Sequence, residues 1–267
     1  MRRILFLLLL TLAMSGCKRS TTILGEWDGR DTTLYLTCYR ERCFDVIDSI
    51  RVNDGHFLWK GKLHPELLYG LSDNKKSRHP AVFFPDREQL AIRLWPNGEM
   101  ATTGSDTNRL LQRTLATDYD ADTLVSRHPE SPVTAYIASR FLVSIVPYDS
   151  LLKLRKKITL SHHPYIEELD ATLEAISRIH PGAFAPPVKG IEFQDTTLLV
   201  FHATWCPDCL AAWPSVNTFL EEHPDVHLAA LDIDSIGWDG EAAKAYAVHG
   251  VPSVFLIAKG KILRTSL

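Results

Sequence analysis

The sequence predicts an α/β domain at its C-terminal end, behind a small antiparallel β domain and a helical connector. Three observations predict this order. From about Thr21 to Thr103 apolar residues recur at the alternating period of strands, and from Asp106 to about Ile179 at the helical period. Beyond a break at HPGAFAPPVKG (His180 to Gly190), continuous apolar runs alternate with amphipathic segments. Strand, helix, strand, helix, hairpin in that last stretch is the pattern of a central sheet. The expected domains are residues 18–105 (β), 106–183 (helical connector) and 184–267 (α/β), with 1–17 set apart as a leader.

That leader reads MRRILFLLLLTLAMSGC: two arginines, an apolar run from Ile4 to Leu12, then small residues and Cys17. Such a segment is a secretory signal, too short to span a bilayer comfortably. Its ending, MSGC, resembles a bacterial lipobox, in which a peptidase cuts before the cysteine and the new N-terminal Cys17 carries acyl chains; Met14 stands where leucine is usual. The resemblance implies lipidation at Cys17, with ordinary secretion as the alternative. The expected location is the cell envelope of a bacterium, membrane-anchored and facing the periplasm or exterior, where disulfides persist. A chain of 267 residues, 45% hydrophobic, can bury the cores of two such units. Its net charge of −3, with no long basic or acidic run, gives no electrostatic footprint for nucleic acid.

In the β region, TLYLTCY places Leu34, Leu36 and Cys38 on one face and Thr33, Tyr35, Thr37 and Tyr39 on the other. Asp54-Gly55 is a hairpin turn between Ile50/Val52 and Phe57/Trp59, and PNG (Pro96 to Gly98) separates LAIRLW from EMATT. No cluster of catalytic residue types occurs here, which predicts a structural or docking module.

In the connector, Ser131 is a good N-cap and Pro132 suits a first helical turn, with Val133, Tyr136, Ile137 and Phe141 on one face. PYIEELDATLEAISRI repeats the stripe with Ile166, Leu169, Leu173 and Ile176. His162-His163, beside a proline, reads as a solvated loop.

The last third carries the chemistry. TLLVFHA (Thr197 to Ala203) and VHLAALDID (Val226 to Asp234) read as buried strands, DCLAAWPSVNTFLEEH as a helix with Trp213, Val216 and Leu220 on one face, and PSVFLIAKGKIL as a hairpin turning at Lys259-Gly260. Asp232 and Asp234 alternate along the second strand and receive no catalytic role. Between the first strand and the helix lie Cys206 and Cys209. A cysteine at a helix N-terminus meets unpaired N–H groups and the positive dipole end, which stabilise its thiolate relative to a free thiol of pKa about 8.5. The spacing brings Cys209 within reach of any mixed disulfide that Cys206 makes. Nucleophile and resolver both follow from the spacing.

FHATWCPDCLAAWP resembles the active site of thioredoxin-like proteins, with Trp205 before the first cysteine and Pro214 five residues after the second. HGVPSVFLI (His249 to Ile257) is similar to the family's turn, whose proline is cis and faces the cysteines. The resemblance implies that Val251 and Pro252 shape a substrate groove, that the Val251 backbone pairs with an extended substrate, and that Trp205 and Pro207 flank it. The whole layout is similar to lipoproteins of the TlpA-like thiol:disulfide oxidoreductase type, whose N-terminal β module has no known function. It implies protein thiol/disulfide substrates, an upstream electron donor and a membrane reached through the N-terminal lipid, with no dissociable cofactor and no metal.

Three positions depart from the family pattern. Val200 stands where thioredoxins carry a buried aspartate, and Ala212 where TlpA-like proteins often carry a glutamate. Proton removal from Cys209 is thereby left to water, or to His202 if its ring turns toward the pair. The chain also stops at Leu267, where the family fold continues with a helix, so the expected fold lacks that helix. Asp208, between the cysteines, disfavours the Cys206 thiolate and predicts a reductase or isomerase rather than a strong oxidant.

Setting Cys17 aside leaves four of the five cysteines. Cys38 and Cys43 are expected to bridge a hairpin around YRER, with a second redox pair as the alternative. Two further readings stand beside the redox one: a four-thiolate zinc site of Cys38, Cys43, Cys206 and Cys209, and a redox-inactive thioredoxin-fold binding lipoprotein.

Overall fold

The computed structural model describes residues 19–40, 42–116 and 120–265; Cys17 and the leader lie outside the described residues. The chain divides into two units, Met1–Tyr119 and Asp120–Leu267.

In the first unit Leu34, Leu36 and Cys38 of TLYLTCY are buried as the alternation predicts, but Thr37 and Tyr39 on the other face are buried too, beyond a register shift at Leu36/Thr37 in the pairing with β3, so the strand's second half is covered on both faces. The strands are β1 (Arg19–Trp27), β2 (Thr33–Arg40), β3 (Cys43–Arg51), β4 (His56–Leu63), β5 (Tyr69–Ser72), β6 (Ala81–Phe83), β7 (Gln89–Leu94) and β8 (Met100–Thr103). They form two four-stranded sheets, ordered β4-β1-β7-β8 and β3-β2-β5-β6. One core joins them, with Ile23, Phe57, Trp59 and Ile92 from the first sheet and Leu36, Ile50, Leu71 and Phe83 from the second.

The turn at Asp54-Gly55 has both residues at positive φ, 51° and 74°, closed by reciprocal Asn53–His56 backbone bonds of 2.9 Å. The unit is not purely antiparallel, because β1 pairs β4 antiparallel but β7 parallel. Hairpin turns fix the direction of sequence neighbours. No such turn links β1 to β7, so local patterning leaves their relative direction open.

Helix α1 (Asp106–Ala116) belongs to this unit rather than to the connector. Its buried Asn108 clamps one backbone residue from both sides: Phe84 N donates to Oδ1 (2.7 Å) and Nδ2 donates to Phe84 O (2.8 Å). Ser105 caps it, accepting from Asn108 N at 2.9 Å and donating to Asp86 Oδ2 at 2.8 Å. Asn108→Ala leaves a buried N–H and C=O without these partners and is expected to lower the unit's stability by about 2–4 kcal/mol. Urea unfolding followed by circular dichroism checks this.

No disulfide joins Cys38 and Cys43. Across the β2–β3 hairpin Cys38 stands opposite Asp45 and Cys43 opposite Arg40, so the two cysteines are offset diagonally rather than paired. Cys38 is buried, and that burial pushes its thiol pKa up.

The second unit contains α2 (Ala121–Arg127), α3 (Pro132–Ile137), a π turn (Ala138–Leu142), α4 (Val143–Ile145), α5 (Tyr148–Lys157), α6 (Pro164–Arg178), β9 (Thr196–His202), α7 (Pro207–Glu222), β10 (His227–Asp232), α8 (Ile233–Ile236), α9 (Glu241–Ala245), β11 (Ser253–Ala258) and β12 (Lys261–Thr265). Ser131 caps α3 by accepting from Val133 N. Val133, Tyr136 and Ile137 are buried, but the wider π turn rotates Phe141 off that face and leaves it 39% exposed. His163 is not in a solvated loop. It is 1% exposed and caps α6, its Nδ1 accepting from Tyr165 N at 3.2 Å.

The sheet order is β10-β9-β11-β12, with β9 parallel to β10 and antiparallel to β11. Leu199, Phe201, Tyr246, Phe255 and Ile257 pack on one face together with Ile179 and Val188. β10 lies at the edge and is largely exposed, with Leu228 42% open, where the apolar run predicted a buried strand. Pairing on one side only, next to β9, explains the difference.

Burial raises the hydroxyl pKa of Tyr69 and of Tyr136 to about 12. In the unfolded chain a tyrosine deprotonates near pH 10, so above that pH the unfolded state releases protons that the folded state retains. Stability is therefore full below about pH 10 and is expected to fall as pH rises toward 12. Denaturant midpoints measured across that window check it.

Candidate active site

β9 runs from the core to the site. Leu199 and Phe201 on β9 and Ala203 just after it are buried in the core, and they anchor the turn that delivers Cys206, whose N–H bonds Ala203 O at 3.3 Å. Cys206 is the N-cap of α7: Cys209 N donates to its Sγ at 3.1 Å, and Leu210 N to its carbonyl at 3.1 Å. Pro207 occupies the first helical turn, where a missing N–H leaves no bond unmade. The sulfur thus receives backbone N–H character at the positive end of a sixteen-residue helix, the environment that stabilises a thiolate.

Cys206 and Cys209 are joined by a disulfide. They are 4% and 2% exposed, while Trp205, Pro207, Asp208 and Leu210 around them are open to solvent. The Val251–Pro252 peptide bond is cis, and Val251 O lies 3.4 Å from Cys206 Sγ. Cys206, Cys209, Trp205, Pro207, Val251 and Pro252 are thus brought together at the N-terminus of α7. Cys38 and Cys43 belong to the other unit.

Sequence reading missed the role of Asp234. The strand ends at Asp232, whose carboxylate caps α8 by accepting from Asp234 N at 3.0 Å. Asp234 then accepts from Trp205 Nε1 at 2.7 Å, fixing the indole beside the cysteines. A contact spanning 29 residues between an extended turn and a single helical turn leaves no periodic signal. His202 is half-buried at the end of β9, and its ring meets that of Trp213 edge-on at 5.3 Å.

Cys206 and Cys209 are bonded to each other rather than standing as thiolate ligands. Among the described residues, no group of three or more His, Cys, Asp or Glu side chains is placed to hold a metal ion.

Comparison with known proteins bears on this geometry. The family model described as Thioredoxin matches residues 182–266. Thioredoxin-1 of Schizosaccharomyces pombe is 35% identical over 74 residues, which are 27% of this chain and 69% of that protein. The chain belongs to the thioredoxin family. Thioredoxin-1 of Saccharomyces cerevisiae is 33% identical over 69 residues, 26% of this chain; the chain spans 64% of that thioredoxin's length, under two thirds. The crystal structure of mitochondrial thioredoxin 3 from Saccharomyces cerevisiae, in its oxidized form, shares 25% identity over 28% of this chain and 67% of that one, with a TM-score of 0.25. The thioredoxin match covers the strand, the CxxC helix and the Val251–Pro252 turn, and leaves the two β-sheets of the first unit outside it.

Proposed function

We propose that this protein is an extracytoplasmic thiol-disulfide oxidoreductase, a lipoprotein held at a membrane surface through Cys17, that reduces or isomerises disulfides of protein substrates. The observation that carries the catalytic part is the Cys206–Cys209 disulfide at the α7 N-terminus, with Val251 O 3.4 Å from Cys206 Sγ. The leader sequence supports the location.

In the dithiol form, the Cys206 thiolate attacks one sulfur of a substrate disulfide. A mixed disulfide forms and the substrate's other sulfur leaves as a thiolate. Cys209 then attacks Cys206 Sγ, closing the disulfide and releasing the second substrate thiol. Two electrons pass to the substrate, and an upstream dithiol donor restores the pair. Beside Val251 an extended substrate strand finds backbone groups with which to pair.

Asp208 lies exposed in the first turn of α7. Its negative charge opposes the helix end and makes the dithiol less stable relative to the disulfide, which favours reduction of substrates. The expected midpoint potential lies closer to the value of about −270 mV for thioredoxin than to the value of about −120 mV for DsbA. A midpoint near the DsbA value, with no thiols released from a disulfide-containing protein substrate, would sink the reductase reading.

A further inference from the structure

We propose that the outer face of the sheet β4-β1-β7-β8 is a membrane-contact surface, which lays the first unit against an anionic bilayer beside the acylated Cys17. Such a surface rests on the lipid anchoring proposed above and goes beyond it by fixing which side of the first unit meets the bilayer. β1 begins at Arg19, two residues after Cys17. Two residues span at most about 7 Å, so an acyl group on Cys17 holds the start of β1 close to the headgroups. One face of this sheet is already occupied, because Ile23, Phe57, Trp59 and Ile92 are buried in the core that joins the two sheets. Only the outer face is open to a surface that the anchor brings near.

Strand register arranges that outer face in rows about 7 Å apart. Nearest the anchor, Lys62 stands opposite Ser20, and Lys60 opposite Thr22, which pairs on its other side with Gln89. Neither row contains an acid. The next row runs Leu58, Leu24, Ala91, Thr103, and its two leucines are 53% and 51% exposed side by side. In the last row Glu26 is matched by Arg93 at 3.9 Å, so the net charge of the face is positive and concentrated at the anchored end. Beside the leucines the face dips into a concavity of about 790 Å³, lined by the small side chains of Ala91, Ala101 and Thr103 and by Arg51 and Arg93.

A bilayer surface offers a partner to each part. Lysines attract anionic headgroups while their stems lie along the apolar surface, and the leucine pair enters the boundary between headgroups and acyl chains. The concavity leaves space for headgroups whose phosphates the two arginines attract. A second exposed apolar stretch, Val46 and Ile47 on β3, lacks this match. It lies between Asp45 and Asp48, both exposed, whose charges an anionic surface repels.

The test uses the full acylated protein, reconstituted on vesicles of phosphatidylglycerol and phosphatidylcholine. In a Cys43→Ser background, an environment-sensitive fluorophore is attached through Leu58→Cys, or through Ile47→Cys as the reference. Cys38 is buried and Cys206 and Cys209 are held in their disulfide, so the added thiol takes the label. Emission at position 58 is expected to shift to the blue and to be quenched by spin-labelled lipids at least about threefold more than emission at position 47. Lys60→Glu combined with Lys62→Glu, or high salt, should lower the ratio of lipid-contacting to free label at position 58 by at least about 10-fold, while flotation with the vesicles stays native. Circular dichroism checks that these exposed substitutions leave the fold unchanged. An aqueous label at position 58, or equal quenching at positions 47 and 58, on protein that floats would overturn the surface and leave the anchor intact. Shielding of position 58 in native envelopes but not on vesicles that hold no other protein would also overturn it and assign the face to a protein partner. Failure of the protein to float, or absence of acyl mass on Cys17, would overturn the anchoring reading and the surface with it.

Discussion

Cys206→Ala is expected to lower disulfide reduction at least about 10³-fold, whereas Cys209→Ala should stop turnover at an intermediate. The difference follows from the unequal positions of the two sulfurs. Cys206 caps α7, collects the Cys209 N–H at 3.1 Å and lies next to Val251 O, the position the proposed attacking sulfur requires. Without it the sulfur at the helix cap is gone, and Cys209, whose own N–H points to that sulfur, has no such cap. With Cys206 present and Cys209 gone, the first attack proceeds and the mixed disulfide has no internal resolver. Cys209→Ala should therefore accumulate covalent adducts with protein substrates, visible as reducible bands in non-reducing electrophoresis, and Cys206→Ala should accumulate none. Equal adduct formation by both variants would reverse the assigned order of attack.

Phe201→Ala should cause the largest loss of stability in the second unit, about 3–5 kcal/mol. Phe201 is fully buried in the central strand and meets Tyr246 at 5.6 Å and Phe255 edge-on at 6.0 Å. It thus ties β9 to β11 and to the segment after α9, and the same strand leads directly to Ala203 and the Cys206 turn. Truncation removes the ring's burial and its aromatic pairs and leaves a cavity that neighbouring strands can collapse into only partly. Chemical denaturation gives the magnitude. A loss below about 1 kcal/mol would mean that the aromatic cluster does not hold the site's scaffold together.

The site was legible in the sequence because its chemistry is local. The cysteine pair at helical spacing and the strand that ends just before it are local, and the hairpin at Lys259-Gly260 turns where the residues say it does, with both at positive φ; the Val251–Pro252 turn, 45 residues from Cys206, entered only through the family resemblance. Features that depend on distant partners were not legible. Asn108 is a polar residue on an amphipathic helix, and only its clamp on Phe84 attaches α1 to the β unit. His163 looks solvated beside a proline until its capping bond and burial are known. Cys38 and Cys43 suggest a bridge by spacing alone, and their register across the hairpin sets them diagonally. The parallel β1–β7 pair and the Trp205–Asp234 bond are likewise products of long-range topology, which no local period encodes.

The most direct test of the central claim is a redox titration of the protein in a series of thiol/disulfide buffers, with alkylation and peptide mass spectrometry reporting each cysteine. The account predicts that Cys206 and Cys209 pass together through one reversible two-electron transition while buried Cys38 keeps its thiol. A Cys206–Cys209 pair that never oxidises, or that becomes reactive only after a chelator is added, would contradict it.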